Sequence, residues 1–143
     1  MRLPRFARAA SRIAVLVALA VGSLIAVEAP AYAETNPDCA SVVQIGQTAY
    51  IDRDGGTAVS VKQFKGCGKN WGYAYVWAGY RATHTGYVLC AFVDVQGDGW
   101  RGEFCLPNAV EMWSDGTDTL DRCTRGGGGL WNESAPGFTD WRC

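Results

Sequence analysis

Trp71-Gly72-Tyr73-Ala74-Tyr75-Val76-Trp77-Ala78 alternates an aromatic ring with a small residue along its whole length. In an extended chain successive side chains point to opposite faces, so a period of two marks a strand. The stretch reads as a β-strand with four rings on one face and Gly72, Ala74, Val76 and Ala78 on the other, and it is expected to run on to Tyr80. Large aromatics are usually buried, so the ordinary expectation is that the ring face is core. The alternative is a binding platform, because exposed rings with polar tips stack on sugars or on a partner's apolar groups. A split strand, buried at one end and wet at the other, is the third possibility.

Upstream, Val59 and Val61 alternate with Ser60 and Lys62, making Thr57 to Phe64 a half-buried strand. Arg53-Asp54-Gly55-Gly56 joins it to a strand at Thr48 to Asp52, since Asp-Gly tolerates the positive φ of a tight hairpin. Downstream, Lys65 to Asn70 is expected as a loop and Arg81 to Gly86 as a turn. Tyr87 to Val95 is a strand, Gln96 to Gly99 a turn, Trp100 to Leu106 the returning strand, and Ala109 to Trp113 a short strand. Gly126 to Gly129 reads as a flexible loop, because four glycines carry no packing group. Trp131 to Cys143 reads as irregular. The expected architecture is all-β, a small disulfide-stapled sandwich or barrel of about five to seven strands.

The staples are Cys39, Cys67, Cys90, Cys105, Cys123 and Cys143. No two form a C-x-x-C pair, which disfavours zinc and thiol-redox chemistry and leaves a disulfide framework. Connectivity stays open, since six cysteines allow fifteen pairings. All six lie after a leader pattern typical of export. Arg2, Arg5, Arg8 and Arg12 precede a mostly apolar run from Ile13 to Val27, and Ala31-Tyr32-Ala33 is a small-x-small site. The run is interrupted by Gly22 and Ser23 and ends at Glu28, short of the ~20 residues a membrane span needs. Residues 1–33 are therefore expected to be a secretory signal peptide and residues 34–143 one disulfide-braced domain, secreted and extracellular.

The leader holds four of the 13 Lys/Arg and one of the 14 Asp/Glu, which leaves 9 basic and 13 acidic residues and a net charge of −4. With no basic stripe, nucleic acid is a poor partner, and no membrane insertion is expected once the leader is removed. A monomer is expected.

No reaction is signalled. His84 is the only histidine, no serine sits in a G-x-S-x-G elbow, and the acids around Gly97-Asp98-Gly99 lack the twelfth-position Glu of a calcium loop. Neither metal nor cofactor is expected, and the chain reads as non-enzymatic. Two Trp-Arg pairs remain, Trp100-Arg101 after the third turn and Trp141-Arg142 before the last cysteine. These residue types carry much interface energy, although the ordinary expectation is a tryptophan that folds back over the core with its arginine solvated.

The Arg/Ala-rich leader, the Ala31-Tyr32-Ala33 site and the short cysteine-rich β domain resemble small secreted proteins of actinomycetes. Within that group, the stretch from Cys67 through Gly79-Tyr80-Arg81-Ala82, Cys90 and Cys105 to Cys123 is similar to proteinaceous α-amylase inhibitors of the tendamistat type. The resemblance implies a disulfide-braced β-sandwich that inserts a Trp-Arg-Tyr turn into an amylase active site. Here the turn reads Tyr80-Arg81-Ala82, the cysteine spacings differ, and two cysteines are extra. The expected function is binding of an extracellular protein, with a hydrolase as the target to be inhibited, through Tyr80, Arg81, Trp100 and Arg101. The alternative is binding of a carbohydrate or cell-wall glycan through Trp71, Tyr73, Tyr75 and Trp77.

Overall fold

Asp54 and Gly55 reverse the chain with positive φ at both residues, 51° and 81°. This is the two-residue geometry that matches the twist of the flanking strands. The hairpin belongs to a computed structural model that describes residues 34–143. The leader reading concerns residues 1–33 and lies outside the described residues. The strands are β1 (Val43–Arg53), β2 (Gly56–Gly66), β3 (Lys69–Val76), β4 (Val88–Val95), β5 (Gly99–Pro107), β6 (Glu111–Trp113), β7 (Thr124–Leu130) and β8 (Gly137–Phe138). A helical turn, α1 (Ala78–Arg81), follows β3. Sheet I has the order β1-β2-β3-β6 and sheet II the order β5-β4-β7-β8, with antiparallel pairing throughout. The fold is a small disulfide-stapled all-β sandwich.

The small face of β3 meets the other sheet. Val59, Val61, Ala74, Val76 and Met112 of sheet I share one apolar cluster with Leu89, Ala91 and Leu130 of sheet II. Glycine permits the close approach: a Cβ on Gly72 would run into the backbone carbonyl of Phe92 on β4. Across the same interface, Gln63 Nε2 donates to Thr124 Oγ1 at 2.7 Å, so a buried amide also ties β2 to β7.

The Gly126 to Gly129 loop reading is corrected. All four glycines lie in the middle of β7, buried and paired to β4. Their missing side chains make room for other atoms. A Cβ on Gly126 would come 2.6 Å from the Lys62 carbonyl oxygen of the facing sheet, and one on Gly128 would come 2.7 Å from the Cys90 carbonyl oxygen. The aromatic strand is also shorter than expected. It ends at Val76; Trp77 remains extended and the chain then enters α1, fixed by Trp77 N–H donating to the Ala58 carbonyl at 2.9 Å.

The disulfides are Cys39–Cys67, Cys90–Cys105 and Cys123–Cys143, with Cα separations of 5.9, 4.1 and 4.0 Å. The first pins the N-terminal segment across the outer face of sheet I. The second links directly opposed residues of β4 and β5. The third holds the chain end beside β7, where Thr124 and Arg142 exchange backbone hydrogen bonds of 2.8 and 2.7 Å. Three disulfides in so small a β domain fit an oxidising, extracellular setting.

Candidate functional site

The three rings of β3 and Trp77, which follows it, point outward from the sandwich, away from the inter-sheet core. Their fates then diverge. Trp71 and Tyr73 are buried in a second apolar cluster with Cys39, Phe64, Trp113 and Val42, under the N-terminal segment. Trp71 Nε1 donates to the Gly66 carbonyl at 3.0 Å, and Tyr73 Oη donates to the Glu111 carboxylate at 2.8 Å. These two residues are therefore removed from any binding platform. Tyr75 is half-buried, while Trp77, 45 % exposed, meets it edge to face at 5.8 Å. The strand is split, wet at the Trp77 end.

The Tyr80-Arg81 turn is also corrected as a protruding element. Tyr80 is buried in the main core, and its hydroxyl donates to the Glu133 carboxylate. Arg81 is half-buried, with Nε donating to the Val76 carbonyl at 3.0 Å. The helical turn draws both side chains back toward the body of the fold.

Burial first, and then the hydrogen bond to Glu133, push the Tyr80 hydroxyl up to about 12. Unfolded tyrosine ionises near ~10, so the folded state holds this proton more tightly. The stabilisation is fully present below pH ~10 and is lost as pH rises through about 12. An alkaline titration of tyrosinate absorbance, read as the difference from Tyr80→Phe, should place this ionisation in that window. Glu133→Gln should lower its midpoint; an unmoved midpoint contradicts the assignment.

Trp100 and Arg101 are exposed, and they open onto a surface built across sheet II. On its outer face Trp100 of β5, Asp94 of β4 and Arg125 of β7 lie side by side in register, next to the row Phe92, Gly127 and Phe138. Gly127 has no Cβ because the Phe92 ring occupies that space. Trp100 then stacks on Phe92 with centroids 4.1 Å apart and planes at 21°. Trp131, in the loop after β7, stands edge-on to Trp100 at 5.6 Å. The Arg125 guanidinium lies 3.9 Å from the Phe138 ring centre and 4.4 Å from that of Trp141. Its Nε donates to Asp94 Oδ2 at 2.7 Å, which fixes the cation in place. Arg101 pairs with Asp98, Nη2 to Oδ2 at 2.8 Å.

Trp100, Trp131 and Trp141 are 37, 52 and 39 % exposed, so this face carries three accessible indoles, linked through Phe138 to the held Arg125 guanidinium. Trp131, Phe138 and Arg125 were invisible to a search for periodicity, because three separate elements supply them. The aromatics that follow the glycine run, Trp131, Phe138 and Trp141, are the sequence signal that could have found this face.

No known family, curated protein or solved structure matches the chain.

The assembly therefore speaks through its own chemistry. Exposed aromatic clusters with arginine are the composition of protein interface centres. Most of the rings are held by stacking or by the adjacent disulfide, so little side-chain freedom is lost when a partner covers them.

Proposed function

We propose that the protein is a secreted, non-enzymatic binding module that docks an extracellular protein on the outer face of sheet II. The observation that carries this reading is the contiguous run Trp131, Trp100, Phe138, Arg125 and Trp141, in which three indoles are accessible. Isolated exposed apolar residues need no explanation, whereas a contiguous cluster of this kind marks an interaction surface. An extracellular hydrolase is the partner class to test first, because Trp100 and Arg101 follow directly on the exposed Gln96–Gly99 turn at the edge of the patch.

The test is affinity capture from culture medium with immobilised protein, followed by titration of the captured species and assays of its hydrolase activity. Trp100→Ala and Trp131→Ala are each expected to weaken the complex by at least ~30-fold, the scale of an interface hot spot. Arg101→Ala should act more weakly, since Asp98 already holds that guanidinium. Binding that both tryptophan variants leave unchanged sinks this reading.

A further inference from the structure

A groove of about 640 Å³, sharing no lining residue with that patch, lies between the β1–β2 turn and α1. Its volume falls in the roughly 300–1,000 Å³ range of ligand clefts. Two exposed rings form its walls, Trp77 at 45 % and Tyr50 at 62 % exposure. Tyr50 sits in the outer-face row Tyr50, Ser60, Tyr75, so both rings belong to the wet end of sheet I. On the α1 side the His84 ring stacks flat on Tyr80, with centroids 3.9 Å apart and planes at 4°.

The polar groups converge from the turn and from the chain after α1. His84 Nε2 lies 3.1 Å from Asp54 Oδ2, joining the two sides of the groove. Thr83 Oγ1 and the Tyr80 carbonyl lie 2.9 and 3.1 Å from His84 Nδ1, which sets the imidazole plane. Arg53 also lines the groove; its guanidinium donates to the Asp52 carbonyl, and it forms no carboxylate pair among the described residues. Its other donors stay available to a ligand.

We propose that this groove binds a saccharide chain, laid against Trp77 and Tyr50 and hydrogen-bonded along its edge by Arg53 and Asp54, with His84 orienting the Asp54 carboxylate. A sugar ring has an apolar C–H face and a polar hydroxyl edge. The groove offers the matching pair: exposed π faces, and donors and acceptors already fixed in position.

Affinity electrophoresis through gels holding hydroxyethylcellulose, glycol chitin, xylan or polygalacturonate tests the proposal. Retardation is expected in at least one gel. Trp77→Ala and Tyr50→Ala should each weaken binding roughly 5- to 10-fold, Trp77→Phe should restore most of it, and Arg53→Ala should weaken it further. Melting temperatures of these surface variants serve as the control for folding. Wild-type migration unchanged in all four gels overturns the proposal, and so does retardation that survives Trp77→Ala and Tyr50→Ala together. Retardation lost instead in Trp100→Ala and Trp131→Ala would move the glycan to sheet II and overturn the groove assignment. The protein-binding reading of sheet II stands or falls separately, on capture by those two tryptophans.

Discussion

Gly72→Ala is expected to destabilise the protein by at least about 3 kcal/mol, or to prevent folding. The added methyl would run into the backbone of Phe92, and a backbone carbonyl inside a paired strand has no rotamer through which to escape. Relief requires β3 and β4 to separate, which opens the packing of Ala74 and Val76 against Leu89 and Ala91. The same substitution seven residues later should have the opposite sign. Nothing lies within 4 Å of a Cβ on Gly79, which sits in α1. There alanine gains the ordinary helix advantage of roughly 0.5–1 kcal/mol. Urea denaturation of the two variants gives the comparison directly. A Gly72→Ala protein within 1 kcal/mol of wild type, on the order of a surface change, would mean that the sheets are not held this close.

Removing the Cys39–Cys67 disulfide by a double alanine substitution should be the next largest effect. Its 28-residue sequence separation is the longest of the three, and loop-closure entropy alone gives about 3.5 kcal/mol. The bond also holds the lid over Trp71, Tyr73, Phe64 and Trp113. Without it, the Glu34–Lys62 ion pair and the contacts of Val42 must hold the segment down. Loss should appear as a fall in Tm of roughly 10–20 °C, with tryptophan emission shifted to the red as the cluster becomes wet. Loss of Cys90–Cys105, with a separation of 15, should lower stability by about 3 kcal/mol but leave that cluster covered. Equal red shifts from the two variants would contradict the lid role.

Sequence reading went furthest where the physics is local. Asp54-Gly55 specified its own hairpin, and the alternation from Trp71 separated the faces of β3 correctly. It did not say which face is the core. That choice is made between the sheets, where backbone proximity favours Gly72 and Ala74 over larger neighbours and turns the rings outward. The glycine run failed for the same reason. Read alone, Gly126 to Gly129 has no packing group; read against Lys62, Cys90 and Phe92, it is the shape of the space that remains. Trp77 and Trp100 were legible as candidates, yet their companions Tyr50, Trp131, Phe138 and Arg125 come from distant elements and carry no shared spacing.

The three disulfides join first to second, third to fourth and fifth to sixth cysteine, so no two loops overlap. Chains emerge and fold from the N-terminus onward during synthesis. In an oxidising compartment entered in that order, each cysteine would meet its native partner as the next one to emerge, before any competitor is available. Of fifteen combinatorial pairings, the native one is reached by plain order of arrival. Oxidation can then proceed with little reshuffling, and the catalyst such a chain needs most is an oxidant rather than an isomerase.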